Sequence, residues 1–287
     1  MILIADSGST KTDWRTIDTD NEYEQVTTTG INPQYLDTDK IYSVFENELL
    51  PQLKERNISA IYYYGAGCSS PERNKRVEDA LSRAFPGVPN YVDHDLLAAA
   101  RALCGHKPGI ACILGTGSNS CLYDGKNIID NVTSLGFLMG DEGSGAYLGK
   151  LLIKAYMYRE LPDELATSLK NRYNLTKNGV LDAVYGSDIP SQYLATFAKF
   201  MHEKRKNPVI KEMIYENFEE FFERHVSKYE GFGELPVNFV GSIAFHFSDT
   251  LKLVAKKYGC RIGVIISSPS EGLIKYHQEL LKMQNAQ

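Results

Sequence analysis

The sequence predicts an α/β protein of two lobes with mixed sheets and a helical insertion in the second lobe. Three observations predict it. The chain has 287 residues, long for a single core. Three β-prone stretches at the start give way to alternating strands and helices. The opening pattern of strand, small-residue turn and strand then recurs after Pro108-Gly109.

Ile2-Leu3-Ile4-Ala5 reads as a buried strand, Asp6 to Thr10 as a turn, and Lys11 to Trp14 as the return strand. Glu24 to Thr29 is a third strand. Asp37 to Arg56 carries Ile41, Val44, Phe45, Leu49 and Leu53 at helical spacing, with Pro51 bending the last turn. Ile61 to Tyr64 is a strand closed by Gly65-Ala66-Gly67, which reads as a strand-to-helix turn. Pro71 opens a helix to Phe85, a first-turn position that suits proline. Asn90-Tyr91-Val92 is a short strand ending in Asp93-His94-Asp95, and Leu96 to Leu103 is an apolar helix stopped by Gly105.

The second half repeats the plan. Ile110 to Leu114 is a strand, Gly115 to Ser120 a turn and Cys121 to Tyr123 a strand, with Asp124-Gly125 as a hairpin turn. A glycine-rich stretch from Gly136 to Gly145 leads into a helix to about Arg159. Residues 162–230 read as helical, and their acidic run Glu216, Glu219, Glu220 and Glu223 as a solvated face. Val237 to Val240 is a strand, Ile243 to Tyr258 a helix, Arg261 to Ile266 the last strand, and Ser267 to Ser270 caps a final helix to about Met283. The predicted lobes are residues 1–108 and 109–287, with the insertion at about 162–230 and the last helix able to pack back on the first lobe.

Hydrophobic residues make up 43% and charged residues 23%, as in globular proteins generally. The formal charge of −5 disfavours nucleic acid and anionic membranes as partners. No apolar run approaches a membrane span, and Asp6 interrupts any signal-peptide core. The five cysteines show no CxxC or Cys/His metal spacing, so a reduced, cytoplasmic protein is expected.

The first hairpin has the chemistry of a phosphate grip. Gly8 admits close approach, Ser7, Ser9, Thr10 and Lys11 supply donors, and consecutive turn amides form a nest for anions. Asp6 would repel a bare phosphate but suits Mg²⁺ bridging carboxylate and phosphate. An ordinary hairpin with a polar turn is the plainer alternative. No P-loop spacing occurs, and Gly65-Ala66-Gly67 lacks the third glycine and downstream acid of a dinucleotide fingerprint.

Two such hairpins, one opening each lobe, resemble the actin/hexokinase/Hsp70 ATPase superfamily, whose ribonuclease H-like lobes carry mixed sheets and close on a nucleotide. Asp6 to Thr12, Gly115-Thr116-Gly117-Ser118-Asn119, Met139-Gly140-Asp141-Glu142-Gly143-Ser144 and Val240-Gly241-Ser242, in that order, sharpen this. They resemble the BadF/BadG/BcrA/BcrD-type ATPase family and, within it, the N-acetylglucosamine kinases. The resemblance implies ATP and Mg²⁺ as cofactors and an amino sugar as the phosphoryl acceptor. It implies Asp95 as catalytic base and acceptor contact, and Asp6 on Mg²⁺, often through water. It implies Ser9, Thr10, Lys11, Thr116, Gly241 and Ser242 on ATP, and Asn32, Ser118, Asn119, Gly136 and Asp141 on the sugar. A homodimer is compatible with it.

Each assignment has a structural alternative. Asp95 is also placed to cap the helix at Leu96, with Asp93 as a rival base. His94 reads as a packed or surface histidine. Asp141 and Glu142 could cap the next helix, and Asn32 and Asn119 could be turn residues. Leu135 stands where related kinases often carry tryptophan. Two other functions compete: an iron–sulfur ATPase that activates a dehydratase or reductase, and a non-catalytic sugar or nucleotide sensor. Cys112 and Cys121, the cysteines nearest the second hairpin, sit in apolar strands and read as buried.

Overall fold

The computed structural model describes residues 1–8, 11–54, 57–187 and 189–285. The chain forms two compact units. The first comprises Met1–His106, Gly125–Asn127 and Pro269–Gln287, the second Lys107–Asp124 and Ile128–Ser268.

In the first unit, β1 (Ile2–Ser7), β2 (Lys11–Ile17) and β3 (Glu22–Thr29) form an antiparallel meander. α1 (Thr38–Val44) follows and continues as a π-helical turn over Phe45–Leu49. β4 (Ala60–Gly65), α2 (Pro71–Ala84), β5 (Asn90–His94) and α3 (Asp95–Cys104) complete the run. The sheet order is β3-β2-β1-β4-β5, with β1, β4 and β5 parallel. Parallel strands are covered on both faces and read as continuous apolar runs, and Ile2 to Ala5 are all buried. β3 lies at the edge and buries only Val26 and Thr28, which alternate toward the core. Trp14 is fully buried, edge-on to Phe45 at 5.5 Å between ring centroids, and its Nε1–H donates to Thr28 Oγ1 at 3.0 Å.

The second unit starts with β6 (Gly109–Leu114), β7 (Ser118–Tyr123) and β8 (Ile128–Asp130). Helices follow: α4 (Gly136–Met139), α5 (Gly145–Met157), α6 (Asp163–Tyr173), α7 (Lys177–Tyr185), α8 (Pro190–Ala195), α9 (Ala198–Glu203) and α10 (Pro208–Arg224). β9 (Pro236–Val240), α11 (Ser242–His246), α12 (Ser248–Lys257) and β10 (Arg261–Ile266) close the unit. Its sheet order is β10-β9-β6-β7-β8. The central strand of each sheet pairs antiparallel with the next strand in sequence and parallel with a later one. The two sheets therefore share one topology. Helices α5 to α10 bury a core of Leu148, Leu152, Phe197, Phe200, Phe218, Phe221 and Phe222 against it.

The last helix, α13 (Ser270–Asn285), belongs to the first unit and packs on α3. Its His277 is fully buried and shares a 2.9 Å hydrogen bond with the Tyr64 hydroxyl.

Three sequence expectations need correction. The helix expected to reach Arg56 ends at Leu49, because proline at position 51 lacks the donor a continuing helix needs. Glu55 and Arg56 lie outside the described residues. The helix expected from Ile243 to Tyr258 breaks at Phe247, whose side chain turns into the core. The second hairpin turn is only Gly115-Thr116-Gly117, since Ser118 and Asn119 already belong to β7.

Helix α13 approaches α3 through Gly272, where an added Cβ would lie 2.4 Å from the Ala102 carbonyl oxygen. Backbone cannot yield there cheaply. Gly272→Ala is expected to lower stability by about 1–3 kcal/mol in thermal denaturation. Gly233→Ala, where a Cβ meets nothing within 4 Å, serves as the control and should leave the midpoint unchanged.

Candidate active site

The first unit gathers its polar residues at the C-terminal ends of β1, β4 and β5. Asp6 lies near the end of β1 and stands opposite Asp13 in the β1–β2 register. Like charges directly opposed on a sheet repel. Asp13 is relieved by Lys11, whose Nζ lies 2.7 Å from Asp13 Oδ2. At Asp6 the same lysine opposes the crowding without offsetting it. Burial, then Asp95, then Asp13 push its carboxyl up to about 6 from the usual 3.8. The hairpin itself is tied by Ser7 Oγ to Thr12 Oγ1 at 2.7 Å and by Gly8 N–H donating to the Lys11 carbonyl at 2.9 Å. Ser9 and Thr10 lie outside the described residues.

Asp95 is the first residue of α3, and the cap before it is His94, whose Nδ1 accepts from Leu97 N–H at 3.2 Å. The cap role considered for Asp95 thus falls to His94. Burial raises the Asp95 carboxyl, opposed by His94 and by the first amides of the helix. Asp93 is half-exposed and accepts from His94 N–H at 2.8 Å.

Asn32 sits in the turn after β3, where its Oδ1 accepts from Gln34 N–H at 2.9 Å and its carbonyl from Tyr35 and Leu36 N–H. Arg76 Nη1 donates to the neighbouring Pro33 carbonyl at 2.9 Å. Gly67, with φ of 82°, leaves room for the Asn32 carboxamide, since a Cβ there would fall 2.1 Å from Asn32 Oδ1. Cys68 follows, buried and with its thiol pushed up to about 12 by burial and by nearby Asp95 and Asp93. Asn32 and Gly67 thus lie together, with Cys68 next in sequence and Asp95 near enough to act on its thiol.

The second unit gathers a matching group. Ser118 N–H donates to Asp141 Oδ1 at 3.4 Å, and Ser134 Oγ donates to the same oxygen at 3.2 Å. Gly117 lies so close that a Cβ there would be 3.0 Å from Asp141 Oδ2. Asp141 is 7% exposed, and burial raises its carboxyl. Its φ of 62° is left-handed, a state that costs a non-glycine residue roughly 1–3 kcal/mol and clusters at functional sites. The Ser118 hydroxyl is buried with no hydrogen-bond partner among the described residues. Asn119 Oδ1 accepts from Ser120 N–H and Asn131 Nδ2. Gly136 opens α4 at φ of 71°. Helix α5 is capped by Ser144, so Asp141 and Glu142 are not its caps.

Thr116 and Ser242 line one cavity of about 690 Å³ with Gly115, Lys199, His202 and His246. Gly241 follows β9 at φ of 121°, where a Cβ would lie 2.3 Å from the Leu114 carbonyl oxygen, so only glycine fits there. The first α5 amides are spent on the turn: Gly145 N–H donates to the Gly115 carbonyl and Ala146 N–H to that of Thr116.

Sequence reading missed the α8 and α9 wall of this cavity, because Gln192, Lys199 and His202 fall on short helices with no motif. It also took the acidic run of α10 as solvated throughout. Glu216 and Glu223 are exposed, but Glu220 accepts from Tyr147 Oη at 2.9 Å and Glu219 pairs with Lys257. Among the described residues no group of three or more His, Cys, Asp or Glu is placed to hold a metal, and a site with one or two carboxylates needs none.

The Asp6 carboxyl gives a pH prediction. A folded-state value near 6 against 3.8 means the folded protein binds this proton more tightly. The associated stability is complete below about 3.8 and is lost as pH climbs through about 6. Asp6→Asn is therefore expected to raise the ligand-free thermal midpoint near pH 7 and leave it nearly unchanged near pH 4. Coinciding pH–stability curves for the two proteins would contradict the crowding.

No family model matches the chain, and no curated protein does. Solved structures do. The "Putative N-acetylglucosamine Kinase" of Porphyromonas gingivalis superposes with a TM-score of 0.93 at 41% identity, over 97% of this chain and 99% of that one. The "Putative N-acetylglucosamine Kinase" of Chromobacterium violaceum follows at 0.66 and 18%, over 96% and 99%. The "ROK Hexokinase" of Thermus thermophilus gives 0.54 and 13%, over 99% of each chain. The last two share the fold. At the identity and coverage of the first, the chain belongs to the N-acetylglucosamine kinase-like family, on the actin/hexokinase-like fold.

Proposed function

We propose that the protein is an ATP-dependent sugar kinase of the cytoplasm. It transfers the γ-phosphoryl group of ATP to a hydroxyl of N-acetylglucosamine or a related amino sugar. The observation that carries this reading is the crowding of Asp6, near the end of β1, by Asp95, which opens α3 just after β5 of the same sheet. The printed names of the P. gingivalis and C. violaceum proteins support an amino-sugar acceptor.

Phosphoryl transfer asks a protein to align the groups, neutralise charge and take one proton. Asp95 is the proposed base: its carboxylate, held at the start of α3, accepts the proton of the acceptor hydroxyl as the phosphoryl group arrives. Its raised affinity for protons favours that transfer. Asn32, Ser118, Asn119, Gly136 and Asp141 are proposed to hold the sugar, Asp141 as acceptor and the orphan Ser118 hydroxyl as a free donor. Lys11, Thr116, Gly241 and Ser242, with Ser9 and Thr10, are proposed to hold ATP. Thr116 and Ser242 sharing one cavity agrees with that, and Lys199 adds a cation to its wall.

Mg²⁺ fits the chemistry of Asp6, since its partly buried carboxylate is crowded by Asp95 and Asp13 more than Lys11 offsets. Asp6 would hold the ion, through water as the resemblance implies, and the ion would neutralise charge on the phosphates. We assign these roles to lobes spanning 1–108 and 109–287, with the last helix packing back on the first lobe.

An iron–sulfur activator is disfavoured, because Cys112 and Cys121 are fully buried in β6 and β7 and offer no surface ligands. A sensor would have no use for a base at Asp95.

Asp95→Asn is expected to keep the fold and ATP binding and to lower turnover by at least about 10²-fold, read by coupled ADP release. Asp93→Asn should stay near wild type. The reverse pattern would move the base to Asp93.

A further inference from the structure

The strained loop from Gly140 to Ser144 is closed by its own turn bond, Ser144 N–H to the Asp141 carbonyl at 3.1 Å, and is also held from outside. One end rests on Asn217 of α10, fully buried, whose Oδ1 accepts from Gly143 N–H at 2.8 Å. Glu142, 8% exposed, extends toward the end of the same helix. Its Oε1 lies 3.3 Å from Arg224 Nε, and its Oε2 lies 3.7 Å from His225 Nε2. Arg224 also reaches Glu220, with Nη2 at 3.1 Å, and Glu220 accepts from Tyr147 Oη of α5. His225 is stacked on Phe221 at 5.1 Å between ring centroids. Burial lowers its proton affinity, so the charge facing Glu142 is mainly that of Arg224. On the other flank, Lys150 of α5 donates from Nζ to the Phe137 carbonyl at 3.2 Å.

Between the Glu142 and Asn217 anchors and the Ser118 contact stands Asp141 in its left-handed conformation. Gly143 is pressed equally hard: at φ of 85°, a Cβ there would meet Leu114 and Phe221 at 2.9 Å. Such a backbone persists only when its surroundings over-determine it.

We propose that Glu142, with Arg224 and Asn217 of α10, is a positioning device that holds Asp141 in its strained conformation and thereby sets affinity for the acceptor sugar. The proposal rests on the reading of Asp141 as a sugar contact. It gives the helical insertion a part in substrate recognition, through a helix that carries none of the proposed sugar contacts. Glu142 is a positioning residue, not a catalytic one.

Two readouts on Glu142→Gln and Arg224→Gln test it, the latter at a half-exposed guanidinium whose loss does not threaten folding. Hydrogen–deuterium exchange over residues 139–144 reads the device without any activity. Steady-state kinetics with N-acetylglucosamine reads its consequence. Exchange is expected to quicken by about tenfold or more in Glu142→Gln. The sugar KM should rise about tenfold, while the ATP KM and the turnover at saturating sugar stay within about twofold. Arg224→Lys should recover part of the loss in Arg224→Gln. Unchanged exchange in Glu142→Gln would overturn the device itself. Faster exchange with an unchanged sugar KM, or equal rises in both KM values, would overturn its role in sugar affinity. If the wild-type chain turns over no sugar, the kinase reading fails and the sugar role with it, while exchange still decides the device.

Discussion

Carboxylates of like sign crowd the strand ends of the first unit, and that crowding governs what the unit can do. Asp6 faces Asp13 across a strand pair and lies near Asp95. Two of the three find local relief: Asp13 from Lys11, and Asp95 from His94 and the amides that open α3. Asp6 finds little, and burial denies it water. A fold that keeps such a group keeps it at the cost of stability. That cost is intelligible where a cation and a phosphate arrive together, as kinase chemistry requires.

The remaining candidate residues depend on backbone placed where side chains would obstruct it. Gly67 makes room for Asn32, Gly241 lets β9 end against the Leu114 carbonyl, and Gly117 lets the second turn approach Asp141. Each lies at a strand end or the turn beside it, in sheets of one topology. The same plan thus presents a carboxylate and a small-residue turn in both units. Helix α10 adds what the plan lacks, a support under the left-handed Asp141.

Much of this was legible in the sequence. The apolar runs Ile2 to Ala5 and Ile110 to Leu114 announced central strands, and Pro71 announced the start of α2. The glycines announced turns. Pro51 was read as a bend although it ends the helix, because periodicity continues through Leu53, which is buried without being helical. The turn at Gly115 was read too long, since Ser118 and Asn119 look like turn residues and only strand pairing reveals them as β7. The partners of Glu142 were out of reach altogether. Asn217, Arg224 and His225 stand more than seventy positions away in an acidic helix, and no local pattern distinguishes an anchor from a solvated charge. The cavity wall from α8 and α9 was invisible for the same reason: packing, not spacing, brings Lys199 and His202 beside Thr116.

The central claim is transfer of phosphate to a sugar hydroxyl, and the products decide it most directly. Phosphorus NMR of the wild-type protein with Mg·ATP and N-acetylglucosamine distinguishes the outcomes in one spectrum. The account predicts ADP and a new phosphomonoester signal growing in equal amounts, with negligible inorganic phosphate. ADP accompanied by inorganic phosphate alone, with no phosphomonoester from any amino sugar, would contradict it.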